Sequence, residues 1–152
     1  MTIFSNESGS NEGQAWCARL MAVSDPWQTL GRSYEECLAK CAHAEYTLLV
    51  ASADGVRRGF ALLHPRGVAG SPYIASIAVS PEMRGRGVGS ALLAHIETCF
   101  PDARHIFLCV SSFNAAARQL YERHGYRQVG EFADYVIDGA SEILMQKRLA
   151  AK

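Results

Sequence analysis

The sequence predicts a mixed α/β sheet with helices packed on its faces. Three observations point there. Two apolar runs, "EYTLLVASA" and "VRRGFALLHP", flank Asp54-Gly55, the two-residue signature of a tight hairpin. The apolar run "SPYIASIAVS" (71–80) gives way, after a proline and three alternating glycines, to a helical spacing at Val88, Leu92, Ile96 and Cys99. A second strand-to-helix switch follows over residues 104–125. Hairpins imply antiparallel neighbours, whereas a strand–helix–strand unit from 73 to 110 implies a parallel pair joined by a crossover. Both together require a mixed sheet.

The bulk numbers set the frame. A chain of 152 residues is one domain's worth, enough to bury about two-thirds of its unfolded surface. Fifteen Lys+Arg balance fifteen Asp+Glu, so no broad basic surface for nucleic acid or an anionic membrane is expected. No apolar run reaches the ~20 residues of a membrane-spanning helix. The opening "MTIFSNESGSNEGQ" lacks the charged start and apolar centre of a secretion signal. It reads as a disordered polar leader (1–14) ahead of a single domain (15–152), and a cytoplasmic location follows as the expectation.

The elements are read in order. "AWCARLMAVS" (15–24) alternates loosely and is expected as a first strand; Asp25-Pro26 then signals the start of a helix. Ser33 with Glu36 three residues on forms a capping box, and Tyr34, Cys37, Leu38 and Cys41 share the face of the helix it opens. The hairpin about Asp54-Gly55 and the run 71–80 give three strands. The last is nearly all apolar and is expected to be covered on both faces. "RHIFLCVS" (104–111) is a strand, and "NAAARQLYERHG" (114–125) a helix closed by Gly125. Two strands around Asp138-Gly139 complete the chain, and their edges suit a homodimer.

Five cysteines, an odd number, argue against a disulfide framework. Cys99 and Cys109 sit in apolar runs as small hydrophobes. The cluster Cys37, Cys41, His43 has the spacing C-x3-C-x-H, which fits no common zinc pattern, so no metal is expected.

The stretch "AVSPEMRGRGVGSALLAHIE" (78–97) carries the chemistry. A phosphate loop of the G-x4-G-K-[S/T] type needs a lysine, and none lies between Lys40 and Lys147. A dinucleotide fingerprint needs a third glycine where Ser90 stands. What remains is a strand that turns through Pro81 and Glu82 into a helix beginning near Gly87. The first N–H groups of such a helix lack acceptors and carry the positive end of its dipole. Gly85, Gly87 and Gly89 let an anion reach the backbone, and Arg84 and Arg86 add charged donors. This is a phosphate or pyrophosphate site.

"RGRGVG" followed by "SALLAHIE" resembles the R/Q-x-x-G-x-G/A signature of the GNAT acetyltransferase superfamily, with Arg84, Gly87 and Gly89 on its fixed positions. A second segment (110–130) is similar to the family's N-x-x-A-x-x-x-Y-x-x-x-G-[FY] unit through Asn114, Ala117, Tyr121, Gly125 and Tyr126. The resemblance covers residues 14 to 149. It implies a GNAT fold and acetyl-CoA as co-substrate. The implied cofactor residues are Ile77, Ala78 and Val79 on the strand, Arg84 to Ser90 in the loop (with Arg86 and Val88 among them), and Asn114, Ala117 and Tyr121 on the second helix.

The implied reaction is direct acetyl transfer to the primary amine of a small molecule. Tyr121 matches the family's general acid, supplying a proton to the departing thiolate. An acceptor pocket is expected from Trp27, Tyr73, Asp134 and Tyr135. Glu131, Asp134, Tyr135 and Tyr73 stand as candidate bases. Ribosomal-protein N-terminal acetyltransferases, a branch of this family, carry acids where Cys109 and Tyr73 stand here. Protein N-terminal or lysine acetylation is therefore the alternative, and a non-catalytic acyl-CoA sensor a second one. Cys109 as a nucleophile would give a ping-pong route.

Overall fold

The computed structural model describes residues 1–150. The chain runs β1 (Ile3–Asn6), α1 (Asn11–Ala22), α2 (Tyr34–Cys41), β2 (Thr47–Ala53), β3 (Val56–Val68) and β4 (Ser71–Val79). It continues through a 3₁₀ turn (Pro81–Met83) to α3 (Val88–Cys99), β5 (His105–Ser111), α4 (Ala115–Arg123), β6 (Arg127–Phe132) and β7 (Glu142–Arg148). The seven strands form one mixed sheet in the order β1-β2-β3-β4-β5-β7-β6, antiparallel except for β4 beside β5.

Strand alternation sends successive side chains to opposite layers. Leu48, Val50, Phe60 and Leu62 pack under α1 and α2 with Met21 and Trp27. Leu49, Ala61, Leu63, Ile106 and Leu108 pack under α3 and α4 with Leu92, Leu93 and Ile96. Each of those three α3 side chains is fully buried, and truncating one to alanine removes about 2–5 kcal/mol. No helix among the described residues is long and apolar enough to cross a membrane.

Two irregularities position the site. β4 carries a bulge: Leu62 pairs with Ser76 and Leu63 with Ile74, so Ala75 is the extra residue. β4 and β5 pair only through Tyr73 with Phe107 and Ile74 with Leu108. Beyond those pairs the strands part, and the remaining edge of β4 on that side has no strand partner.

The first third of the chain departs from expectation. Residues 3–6 are not part of a free leader but an edge strand, with Ile3 to Asn6 opposite Ser52 to Leu49. The strand offers one apolar anchor, Phe4, stacked on His95 at 4.0 Å; its pairing is otherwise backbone, which a polar sequence does not advertise. The expected strand at 15–24 lies largely in α1. Ser10 caps that helix by accepting from Gly13 N at 3.0 Å. Cys17, Ala18, Leu20 and Met21 then bury one helical face, a spacing that mimics alternation over a short window. Residues 25–31 form turns rather than a helix. The order of element types is nevertheless as expected, because β1 supplies the opening strand and α1 the first helix. The capping box at Ser33 and Glu36, the left-handed Asp54 and Gly55, and Gly125 at φ 92° all stand as read. Cys99 is exposed, not buried, because it falls on the outer side of α3. β4 is covered on both faces as expected: Ile74, Ile77 and Val79 pack toward α3 and α4, and Ala75 and Ala78 toward α1 and α2, with partial burial where the cleft described next opens.

Candidate active site

Where β4 and β5 part, a cleft of about 920 Å³ passes between the two helical layers. One end is built by the start of α3. Gly85 and Gly87 take left-handed φ of 75° and 85°, which glycine alone adopts without strain. A Cβ placed on either would meet nothing within 4 Å, so the loop's surface there is open to a ligand. Ala91 N makes the first helical bond, to Gly87 O at 2.9 Å. The amides of Val88, Gly89 and Ser90 therefore have no acceptor within the helix. Gly89 serves a second purpose: a Cβ there would sit 3.2 Å from Leu120, so glycine lets α3 approach α4.

Arg84 is held from two sides. Its Nε donates to Val79 O at 3.1 Å and its Nη2 to Ser24 Oγ at 3.2 Å. Ser90 Oγ lies 2.9 Å from His124 Nε2, which ties the first turn of α3 to the end of α4. Arg86 does not line the cleft, in contrast to expectation; the turn that opens α3 sends it outward. Arg123, which sequence reading did not single out, does line it, from the last turn of α4.

The middle of the cleft is walled by Ile77, Ala78 and Val79 of β4 and by Asn114, Ala117 and Tyr121 at α4. Asn114 caps α4, its Oδ1 accepting from Ala117 N at 3.4 Å, so the oxygen expected to face a cofactor serves the helix first. The Tyr121 ring is buried and packs edge-on to Tyr126, with centroids 6.1 Å apart. Burial pushes the Tyr121 phenol well above its usual range, and no neighbouring charge contributes. It stays protonated at any working pH, the state a proton donor needs.

The far end opens toward the α1/α2 layer. Trp27, Tyr73 and Tyr135 reach it as expected, Trp27 buried and Tyr135 at 70% exposure. Asp134 does not. It adopts φ 51° and accepts from Gly139 N at 2.6 Å, pinning the 133–141 loop that replaces the expected end of strand β6. Two residues that the sequence did not single out, Lys40 and Glu142, do reach it, and so does Cys109, considered above as a nucleophile. Ile143 and Met145 bury into the α3/α4 layer, so alternation turns Glu142 to the opposite face, where its Oε2 accepts from Ser111 Oγ at 2.7 Å. Lys40 Nζ donates to Ala75 O at 3.3 Å, on the bulge of β4. Burial pushes the Cys109 thiol up, with Tyr73 beside it as a hydrogen-bond partner. A protonated, half-buried thiol is a poor nucleophile. Burial also raises the Tyr73 phenol, so neither group supplies a ready base at neutral pH.

The arrangement has the form of a channel for a long, phosphate-bearing ligand. Unpaired amides and left-handed glycines fit a pyrophosphate, and the partnerless edge of β4 beyond Ile74 fits an extended amide-bearing arm. This is the shape of an acyl-CoA acyltransferase. The acetyltransferase (GNAT) family model matches residues 14–126, and the chain belongs to that family. An uncharacterized N-acetyltransferase of Methanocaldococcus jannaschii is 39% identical over 82 residues, 52% of this chain and 53% of its own. The match thus spans about half the length of that relative. A Bacillus subtilis protein provisionally named a ribosomal protein bS18-alanine N-acetyltransferase is 32% identical over 126 residues, 82% of this chain and 80% of its own. Among solved structures, an aminoglycoside 6'-N-acetyltransferase complexed with coenzyme A aligns at a TM-score of 0.79, with 15% identity over 99% of this chain and 98% of the other. Acetyl-CoA is the family's donor, and the residues present fit it.

Proposed function

We propose that this chain transfers the acetyl group of acetyl-CoA directly to the primary amine of a small molecule, with Tyr121 as general acid. The observation that carries the reading is the single cleft that joins the α3 amide cradle, the Tyr121 phenol and an acceptor end containing Glu142. The amine nitrogen bonds to the acetyl carbon and the carbon–sulfur bond breaks. Sulfur leaves with the proton that Tyr121 supplies, and the proton lost by nitrogen passes to water or to a carboxylate. In this reading a backbone N–H on the free edge of β4 receives the oxyanion that forms between those steps. The cofactor set is Ile77 to Val79, Arg84, Gly85, Gly87 to Ser90, Asn114 and Ala117.

Replacing Tyr121 by phenylalanine tests the acid. Turnover should fall about 100-fold or more while the KM for acetyl-CoA moves little. Unchanged turnover across the pH range would remove the assignment.

Acetylation of a protein N-terminus is the second reading, favoured by the name of the B. subtilis relative. Against it, Tyr73 and Cys109 stand where the resemblance places acids in that branch. A peptide beginning with alanine, followed by mass spectrometry, separates the two.

A further inference from the structure

The acceptor end of the cleft carries charges that the acetyl-transfer chemistry does not use. Lys40 projects from α2 onto the β4 bulge and spends one of its three N–H donors on Ala75 O, at a long 3.3 Å. Among the described residues no carboxylate pairs with it. Arg32, at the foot of the same helix, has only the exposed Glu36 at 3.8 Å. Lys40, Arg32 and Trp27 also wall an adjoining recess of about 230 Å³, so the two cations stand where the cleft and the recess meet. Glu142 enters the cleft from β7, on the other side of the opening between β4 and β5. Positive charge on one wall and a carboxylate on another is the pattern that receives a dipolar molecule.

We infer that the acceptor is a small amine that also carries a carboxylate, with Lys40 Nζ and the Arg32 guanidinium receiving the carboxylate and Glu142 facing the amine. This rests on the acetyl-transfer reading above. Burial first, and the like charge of Arg32 second, hold the Lys40 ammonium below the ordinary lysine range, while Glu142 across the cleft pulls it the other way. Glu142 is held by Ser111, which fixes one of its oxygens and leaves the other for a cation. An amine lacking a carboxylate would engage Glu142 alone and leave Lys40 with only the Ala75 carbonyl and Arg32 with only the exposed Glu36.

The test uses the full chain with acetyl-CoA and matched acceptors: amino acids, their carboxamides and the amines lacking the carboxyl group. Release of free CoA gives kcat/KM for each. The carboxylate member of each set should lead by about tenfold or more, the worth of a charged hydrogen bond. Amides have less basic amines, so intrinsic reactivity works against this result. Lys40→Gln should collapse the preference, chiefly through the acceptor KM, with the acetyl-CoA dissociation constant from calorimetry little changed. Arg32→Gln, at an exposed position, should reduce it too and keeps the test open if the Lys40 variant does not fold. Equal or reversed preference in the wild type overturns the inference and leaves acetyl transfer standing. So does a preference that survives both substitutions, or an alanine-leading peptide that outruns every amino acid. Failure to bind acetyl-CoA at all, or to release CoA with any amine, overturns the acetyl-transfer reading itself.

Discussion

Arg84 and Ser24 lie sixty positions apart and are joined side chain to side chain, Nη2 to Oγ at 3.2 Å. Because Arg84 also holds the last carbonyl of β4, one guanidinium fastens the glycine loop, the cofactor strand and the turn leading to Trp27. The fork geometry does this; a point charge cannot reach both acceptors. Arg84→Lys should therefore keep the local charge yet weaken acetyl-CoA binding by about tenfold, the loss of one to two charged hydrogen bonds. Isothermal calorimetry reads it directly. Equal affinity would show that the loop is positioned without Arg84.

Gly59 marks a close approach that the sequence does not announce. A Cβ there would stand 2.9 Å from Ala78 O and 3.2 Å from Leu92 and Val88. The crowded oxygen belongs to the cofactor strand and the two side chains to α3. Gly59→Ala should lower stability by about 1–3 kcal/mol through overpacking. It should also raise the KM for acetyl-CoA, because Ala78 must shift. Urea unfolding and donor titration check the two effects separately.

Lys40 sets a pH dependence of stability. Its folded pKa lies below the ordinary value of 10.5, with burial the first cause and Arg32 the second. Cys37, Cys41 and Glu142 are the other groups that face it, and each pulls the other way. Between the lowered value and 10.5 the unfolded chain binds more protons, so the wild type gains stability as pH rises through that window. Below the window the burial penalty is present in full. Lys40→Met should therefore be most favourable, relative to wild type, near neutral pH, with its advantage shrinking as pH climbs toward 10.5. Urea unfolding of both proteins across neutral to alkaline pH decides it. A constant difference would mean that Lys40 titrates as in water.

The donor half of the site was legible because its chemistry is written in local spacing. Gly85, Gly87 and Gly89 precede a helical repeat, and Asn114 to Tyr121 span two turns; no distant contact is needed to read either. The acceptor half was not, because tertiary structure assembles it. Glu142 enters only once β7 inserts between β5 and β6, a pairing with no sequence signal. Lys40 carries no signal of a site in the sequence; the docking of α2 on the β4 bulge brings its ammonium to the cleft. Asp134 was the opposite case: its residue type suggested a base, and its side chain proved to close a turn. The same divide runs through the fold. The hairpin at Asp54-Gly55 and the helix at 88–99 follow from pattern. The edge strand at 3–6 follows from backbone pairing to β2, and a short apolar window let α1 pass for a strand.

β4 and β5 share two register pairs and then diverge. The seven-stranded sheet is therefore two smaller sheets held by a short seam, with α3 as the clamp over the gap. On the proposed reading acetyl-CoA lies along the free edge of β4 as a removable strand, so its occupancy should enter the folding equilibrium. At a hundredfold excess over its dissociation constant it adds about 2.7 kcal/mol. Amides of β5 and β7 should exchange more slowly with solvent when acetyl-CoA is bound.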